Sequence, residues 1–344
     1  MKNNKFEIGG CLSFNEMIEE LSSRPKPEFV WNGIKKGSTG LVFGPPKSGK
    51  TILCENLAIS IAIGAKEFMG FELDGQPKKV LFISLEEDPF SRGERNRKQF
   101  EALDEQERNL MGSNFYYQPI DFKKRIVSPK DWQSLNGIIK NSGAEIVFID
   151  SITRLNPGQL ENSSDAETIM QNLREIGYSN GITLVCVHHT PKMNDSIITM
   201  DKIKGSGTFA QESDFAIGVN RTSKNHRYFK NVFFRYASDD DDYVTEFQMN
   251  DFLWAEYVDR IDEDGLINRT DKRRNLERRV EILEFFDSDS STTYSTGELI
   301  GLLETRTGLS ERSIKGYIRE LSNIGKIQCV GHGKYASINY TIGK

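Results

Sequence analysis

The chain has 344 residues, of which 37% are hydrophobic and 28% are charged, and its formal net charge is −5. The composition is typical of a soluble globular protein, and the negative net charge argues against a general nucleic-acid coat. No apolar run reaches the length of about 18 residues that a membrane span needs, and four scattered cysteines lack a C-x-x-C pair, so we expect a cytoplasmic protein without a disulfide framework or a zinc motif.

The first 28 residues are predicted to form an N-terminal segment outside the main domain. Its residues 14–21 are amphipathic and predict a helix, and a linker with Pro25 and Pro27 follows. Apolar runs and helical patterns then alternate over residues 29–260, which is typical of a mostly parallel sheet flanked by helices. The strands predicted there are 39–43, 80–83, 146–149, 182–187 and 215–219, with 229–235 and 243–248 as antiparallel edge strands.

The stretch directly after the first of these strands is the most informative. It matches the phosphate-binding pattern G-x-x-x-x-G-K-[ST] as Gly44, Pro45, Pro46, Lys47, Ser48, Gly49, Lys50 and Thr51. A strand before it and a helix from Ile52 onwards direct backbone N–H groups and a helix dipole at one point, which favours bound phosphate. We therefore predict a nucleoside triphosphate site in which Lys50 contacts the β- and γ-phosphates and Thr51 ligates Mg²⁺. The alternative is a chance match on a glycine-rich turn.

Carboxylates follow two of the other predicted strands, at the edge where functional residues of such sheets gather. Asp150 ends the strand 146–149 and is predicted to hold Mg²⁺, although Asp150 or Ser151 could instead cap a helix. Glu86 and Glu87 follow the strand 80–83, and either could polarise the water that attacks the phosphate. A solvated acidic loop is the alternative, and the sequence does not decide between the two glutamates.

His188 and His189 follow the strand 182–187. A polar side chain at this position could contact the γ-phosphate and report its hydrolysis to the following loop. Paired histidines are also compatible with zinc, but the chain has only two further histidines and no cysteine at ligand spacing. We therefore favour the phosphate contact.

Taken in this order, the motifs resemble those of the RecA-like P-loop ATPases, most closely the RepA-type plasmid replicative helicases, with DnaB-type helicases more distant. The resemblance covers residues 29–259 and includes the lead-in 31–34 and the segment 205–208 with Asp214 beyond it. It implies a RecA-like core that hydrolyses ATP with Mg²⁺, and a homo-hexamer that binds ATP between subunits.

The resemblance also implies a basic residue that acts on the ATP of a neighbouring subunit. Arg235 lies where DnaB-like proteins carry the first residue of a Lys-x-Arg pair, but the second position is Ala237 here, and Arg221, Arg227 or Lys230 are alternatives. The loop 193–207 corresponds to the channel-facing loop of the family. Its Lys202 and Lys204 could contact single-stranded DNA in the ring.

Residues 261–274 are polar and charged and are predicted to link the ATPase domain to a C-terminal domain at 275–344. The patterns predict a winged helix-turn-helix domain, with helices at 276–286, 299–305 and 311–324 and a hairpin at 326–340. One face of the last helix and the hairpin turn could contact duplex DNA. The residues predicted for this contact are Arg312, Lys315, Arg319 and Lys334. Winged helices also serve as protein-binding modules.

These observations favour an ATP-hydrolysing DNA motor, a RepA-like helicase or DNA-dependent ATPase of plasmid, phage or mobile-element replication. The alternative is an ATP-gated DNA-binding regulator or a defence-system ATPase that does not unwind DNA. A small-molecule kinase is disfavoured because the strand-end groups follow the RecA-like order and no second substrate pocket is evident.

Overall fold

A computed structural model describes most of the chain. The described residues are 11–155, 163–203, 207–237, 243–268, 281–288, 291–307, 311–323, 325–331 and 333–339. The chain divides into two compact units, residues 1–267 and residues 268–344. The domain boundaries predicted from the sequence, after residues 28, 260 and 274, stay predictions.

The first unit alternates strands and helices along most of its length. Its strands are β1 (Phe29–Trp31), β2 (Ile34–Lys35), β3 (Thr39–Gly44), β4 (Glu67–Phe68), β5 (Phe71–Glu72), β6 (Val80–Ser84), β7 (Phe115–Tyr117), β8 (Ile146–Asp150), β9 (Thr183–His189), β10 (Phe215–Arg221), β11 (Arg227–Phe234), β12 (Tyr243–Met249) and β13 (Ala255–Asp262). Its helices are α1 (Phe14–Ser23), α2 (Lys50–Ile63), α3 (Pro89–Glu101), α4 (Glu105–Asn114), α5 (Pro129–Ser142), α6 (Ser163–Asn180), α7 (Gly207–Glu212) and α8 (Glu263–Ile267). None of the helices formed by the described residues has the length and apolar character needed to cross a bilayer.

Nine of the described strands form one sheet in the order β13-β12-β11-β10-β3-β9-β8-β6-β7. The strands from β10 to β7 pair in parallel, whereas β11, β12 and β13 add to β10 in antiparallel pairs. This mostly parallel sheet with flanking helices fits a RecA-like core. All seven strands predicted for the sheet are present.

Two details of the predicted sheet are wrong or incomplete. The strands β11 and β12 are antiparallel as expected but are not at the edge, because β13 pairs with β12 beyond them. The edge strand β13 has no apolar run, since most of its side chains are solvent-accessible, and β7 has only three residues. Neither strand therefore carries the buried pattern that identified the others.

The central strands bury side chains on both faces because helices cover both. Leu41 and Phe43 of β3 lie in one core cluster with residues of α5 and α6, and Val42 lies in the other with residues of α2 and α4. Burying one large aliphatic or aromatic side chain contributes about 1.5–3 kcal/mol. The sheet is thus packed between two hydrophobic cores, which hold the ends of neighbouring strands in a fixed register relative to one another.

The second unit has its own small core. Its helices are α9 (281–288), α10 (Thr296–Thr307) and α11 (Glu311–Asn323), and its strands β14 (Tyr294–Ser295), β15 (Ile327–Gly331) and β16 (Lys334–Ser337) form a sheet in the order β14-β16-β15. Ile314, Ile318 and Leu321 of α11 are buried in this core, as the helical pattern predicts. Where the chain is described, helices overlap the predicted ranges 276–286, 299–305 and 311–324, and strands overlap the predicted hairpin; residues 276–280, 324, 332 and 340 of these predictions lie outside the described residues. The structure begins α10 three residues before the predicted start, and β14 was not predicted. Assignment as a winged helix stays a prediction.

Gly40 in β3 provides a test of how closely the sheet is packed. A Cβ at this position would lie 2.4 Å from the backbone oxygen of Phe215 on the neighbouring β10. Gly40→Ala should therefore lower the free energy of unfolding by about 2 kcal/mol or more, because backbone must move. Gly137→Ala in α5 is the control, since a Cβ there meets nothing within 4 Å, and it should stabilise by about 0.5–1 kcal/mol. Urea unfolding of both variants measures this, and equal stabilities would contradict the packing.

Candidate active site

The loop between β3 and α2 has the backbone that a phosphate-binding loop requires. A Cβ on Gly44 would lie 1.9 Å from the carbonyl oxygen of Val219 on β10, so only glycine allows this approach. Gly49 precedes α2 with φ 106°, a conformation that favours glycine. The first N–H groups of α2 have no partner within the helix and remain available to an anion. The Ser48 hydroxyl is buried in this loop and has no hydrogen-bond partner in the part of the chain that the structure describes, so it is a further donor suited to a phosphate oxygen.

Lys50 begins α2 and is buried with a side chain that reaches back over the loop. It is only 4% exposed, and its Nζ donates to the carbonyl oxygen of Pro45 at 2.8 Å. Burial lowers the pKa of Lys50 to about 8, because the charged ammonium is poorly solvated there. An incoming polyanion would restore the charge by pairing with it.

Thr51 and Asp150 form the second part of the site. The Thr51 hydroxyl donates to Oδ2 of Asp150 at 2.6 Å, and Asp150 is 5% exposed at the end of β8. Burial raises the pKa of this carboxyl group. A hydroxyl and a carboxylate oxygen placed side by side are hard ligands of the kind that Mg²⁺ prefers. The donor set therefore fits the predicted metal.

Neither Asp150 nor Ser151 caps a helix with its side chain, which was the alternative role that the sequence left open. The short 3₁₀ turn Ile152–Arg154 begins after Ser151 without a side-chain cap. The Ser151 hydroxyl instead donates to Oε1 of Glu86 at 2.6 Å. Ser151 therefore belongs to the surroundings of Glu86.

Glu86 is held from three sides just beyond β6. Its Oε2 lies 2.9 Å from Nε2 of His189, and its Oε1 accepts from the hydroxyls of Ser151 and Thr153. These hydrogen bonds, that of His189 first, lower the pKa of Glu86 to about 2. Glu86 is consequently a carboxylate at neutral pH, fixed next to a histidine.

Glu87 has a different environment from its neighbour. Its carboxylate is paired with the guanidinium of Arg95, which also donates to both oxygens of Glu55 at 2.7 Å. Glu55 is fully buried in α2, so Arg95 connects α3 to the helix that follows the P-loop. The two glutamates that the sequence left undecided thus have separate partners.

His188 and His189 lie on opposite faces of β9, as alternation along a strand requires. His188 is completely buried, with its ring 5.2 Å from that of Phe209, whereas His189 lines the site and contacts Glu86. Within the described ranges, no group of three or more His, Cys, Asp or Glu side chains is arranged to hold a metal ion. The structure therefore brings only His189 to the cavity.

These groups surround one open cavity of about 470 Å³. Its lining residues are Lys47, Gly49, Lys50, Thr51, Ile52, Glu86, Glu87, Arg95, Asp150, His189, Arg221, Arg227 and Met249. The sequence did not indicate Arg95 or Met249 as cavity residues, and it indicated Arg221 and Arg227 only as alternatives to Arg235 that act on the ATP of a neighbouring subunit. Arg221 at the end of β10 and Arg227 at the start of β11 are cross-strand partners next to the P-loop, and this placement depends on strand pairing that no local motif encodes.

Arg235 and Lys230 lie away from this cavity. Arg235 follows the end of β11, and this end of β11 pairs with the beginning of β10. Because the P-loop lies at the carboxyl ends of the parallel strands, Arg235 lies at their opposite, amino-terminal ends. Its guanidinium donates to the carbonyl oxygen of Gln211 at 3.0 Å and lies 3.4 Å from Oδ1 of Asp214. Lys230 is buried in an ion pair with Glu263. A role of Arg235 on a neighbouring subunit stays a prediction.

Several residues predicted to contact DNA can be placed only in part. Lys204 and the side chain of Arg312 lie outside the described residues. The side chains of Lys315, Arg319 and Lys334 are exposed on the second unit, and Lys315 pairs with Glu311 one turn before it.

Comparison with known proteins adds two findings. A family model described as an AAA domain, AAA_25, matches residues 11–195, more than half of the chain. Two curated proteins named "Probable plasmid replicative DNA helicase", from Chlamydia trachomatis serovar L2 and from Chlamydia trachomatis, are each 22% identical over 201 residues. The aligned region covers 55% of this chain and 44% of each relative, so the chain spans less than half the length of these relatives.

The pKa of Lys50 predicts a coupling of anion binding to protonation. At pH 8 about half of the free protein carries a neutral Lys50, and a bound polyphosphate favours the charged form, so binding should take up about half a proton. Affinity should fall as the pH rises above 8, because more protein must first be protonated. Calorimetric titration with a nucleoside triphosphate in buffers of different ionisation enthalpy measures the uptake. Binding without proton uptake between pH 7 and 9 would contradict the buried position of Lys50.

Proposed function

The chain belongs to the AAA_25 family of AAA domains, and from this membership and the geometry of the cavity we propose that it is an ATP-hydrolysing DNA motor of the RepA-like type. The observation that carries the proposal is the convergence of Lys50, Thr51, Asp150, Glu86 and His189 on a single cavity. They come from four separate segments of the chain. Together they provide a cation for the phosphates, two oxygen ligands for Mg²⁺ and a carboxylate for the attacking water, with His189 as the partner of that carboxylate.

Nucleotide binding is proposed to use the P-loop together with the arginines of the β10 end. The N–H groups of α2 and the Lys50 ammonium would contact the phosphates. Arg221 and Arg227 line the same cavity, and neither has a carboxylate partner within the described ranges. Because like charges directly opposite on two strands are unfavourable, a polyanion next to this pair would be stabilising.

Mg²⁺ would be held by the Thr51 hydroxyl and the Asp150 carboxylate. When bound, it would supply positive charge to the phosphate oxygens and to the leaving group. The 2.6 Å contact between the Thr51 hydroxyl and Oδ2 of Asp150 supports this role, because it places two oxygen ligands side by side.

Glu86 is proposed to orient the attacking water, with His189 as its partner. The water oxygen would bond to the γ-phosphorus while the bond from phosphorus to the bridging oxygen of ADP breaks, and the water proton ends on the released phosphate. A carboxylate with a pKa of about 2 is a weak base, so its contribution is to accept the hydrogen bond that aligns the water. Nδ1 of His189 is buried and has no hydrogen-bond partner among the described residues, and as an N–H it would donate to a phosphate oxygen. Glu87 is proposed to position Arg95.

The proposed assembly is a homo-hexamer with single-stranded DNA in its channel. Arg235 lies at the sheet edge opposite the P-loop, which suits a residue that serves the ATP site of the next copy. The second unit is proposed to be a winged helix whose exposed Lys315, Arg319 and Lys334 contact duplex DNA. The names of the two relatives are in keeping with a role in plasmid replication.

Substitution of the two glutamates separates their roles. Glu86→Gln should lower the kcat of ATP hydrolysis by about 100-fold or more while leaving nucleotide affinity close to that of the unaltered protein, because the water loses its acceptor. Glu87→Gln should retain more activity, since its partner Arg95 remains bound to Glu55. Phosphate release and binding of a fluorescent ATP analogue measure both effects. Lys50→Ala is the inactive control, and turnover in that variant would refute the site.

A strand-displacement assay separates the motor from a non-translocating ATPase. With ATP, the protein should hydrolyse faster in the presence of single-stranded DNA and should separate a duplex with a single-stranded tail. Glu86→Gln should bind the same DNA without unwinding it. Stimulated hydrolysis without unwinding would instead favour an ATP-gated DNA-binding regulator or a defence-system ATPase.

A further inference from the structure

The loop 190–203, which follows His189, is tied to the P-loop edge of the sheet. At its start the Thr190 N–H donates to the carbonyl oxygen of Gly44 at 3.0 Å. Further along, the carbonyl oxygen of Asn194 accepts from Nδ2 of Asn220 at 3.0 Å. The beginning of this loop is therefore hydrogen-bonded to the first residue of the P-loop and to the end of β10.

A buried carboxylate holds the middle of the same loop. Oε1 of Glu263 accepts from the backbone N–H of Ile198 at 2.7 Å and from the Tyr228 hydroxyl at 3.0 Å, and Oε2 accepts from Nζ of Lys230 at 2.7 Å. Glu263 is 3% exposed, and Tyr228 is completely buried, which raises its pKa. One carboxylate thus joins α8, β11 and the loop.

The position of Ile198 allows little independent movement. Its Cγ2 lies 2.3 Å from where a Cβ of Gly218 would be, so the side chain packs directly onto the backbone of β10. Leu266 of α8 belongs to the same core cluster, and the first unit ends one residue later at Ile267. Displacement of the loop must therefore disturb β10 or break the bond to Glu263.

A buried ion pair is a costly way to stabilise a fold. The desolvation of two charges often exceeds their attraction, and apolar residues of similar size can be equally stabilising. The Lys230–Glu263 pair has a geometric effect that apolar residues would lack, because it fixes an acceptor at the N–H of one particular loop residue. The role of the Lys230–Glu263 pair is therefore better explained by the place in which it holds the loop than by a contribution to the stability of the fold.

We propose that Glu263 is a positioning residue that couples the loop 190–203 to the nucleotide in the cavity. The loop follows His189 directly, and its first residue is hydrogen-bonded to Gly44. A phosphate that moves either His189 or Gly44 would therefore displace the loop. The hydrogen bond from Ile198 to Glu263 would determine the direction of this displacement. The reverse also holds, because coupling between two sites is reciprocal. A strand of DNA bound to the loop would change the contact of His189 with Glu86. This inference rests on the proposed nucleotide site.

Hydrogen exchange of the loop peptide, with and without a non-hydrolysable ATP analogue, tests the coupling without requiring hydrolysis or DNA. In the unaltered protein the analogue should change the exchange of amides in 190–203 by at least about threefold. In Glu263→Gln, which leaves Lys230 without its counter-charge, this response should be lost.

Asp131→Asn is the matched control. Asp131 is 8% exposed and likewise accepts from one lysine, Lys123 at 2.8 Å, and from backbone N–H groups, Val127 at 3.2 Å and Ser128 at 2.9 Å. This variant should lose stability but keep the response of the loop to the analogue. If Glu263→Gln does not fold, Tyr228→Phe removes one donor and should weaken the response in part.

The outcomes distinguish the coupling from the proposed function. An unchanged response in Glu263→Gln or in Tyr228→Phe, or no response in the unaltered protein, overturns the coupling. A loop that responds in a protein that binds but never hydrolyses ATP supports the coupling and refutes the motor. Where ATP is hydrolysed, Glu263→Gln should retain the KM for ATP and lose most of the stimulation of kcat by single-stranded DNA, whereas Asp131→Asn should retain both.

Discussion

The parallel alignment of β3, β9, β8 and β6 is the constraint on which the candidate site depends. Their carboxyl ends lie side by side, so the P-loop, His189, Asp150 and Glu86 meet at one place. Along the chain, about 140 residues separate the P-loop from His189. Cross-strand register fixes the details, since Ser84 is opposite Asp150 and Gly44 is opposite His189. A change in the register of one strand would invert the faces of its side chains and dismantle the site.

Charge within the site is distributed so that the carboxylates have different partners. Asp150 bonds to a hydroxyl, Glu86 to a histidine and two hydroxyls, and Glu87 to an arginine. The low pKa of Glu86 and the raised pKa of Asp150 follow from these differences in hydrogen bonding and burial. Carboxyl groups within one cavity thereby differ in pKa. Burial of Lys50 lowers its pKa to about 8, so its charge depends on pH and on a bound anion.

Much of this arrangement could be predicted because it is encoded locally. The P-loop has fixed spacing, and Asp150 and His189 directly end strands that are recognisable as apolar runs. The choice between Glu86 and Glu87 could not be predicted, because it depends on Arg95 in α3 and on Ser151 beyond β8. The position of Arg221 and Arg227 in the cavity depends on antiparallel pairing of two charged residues, which hydrophobic periodicity does not reveal. The edge strand β13 could not be predicted for a similar reason, because most of its side chains are exposed.

The opposite placement of Arg235 and the P-loop has a geometric consequence for association. If the arginine of one copy serves the cavity of the next, the contact joins two different surfaces, so an open series leaves one unsatisfied surface at each of its two ends until it closes on itself. A two-fold dimer cannot satisfy such a heterologous contact. The rotation between successive copies alone then sets whether the series becomes a closed ring or an open helical filament, and a copy defective at one edge ends the series wherever it is incorporated.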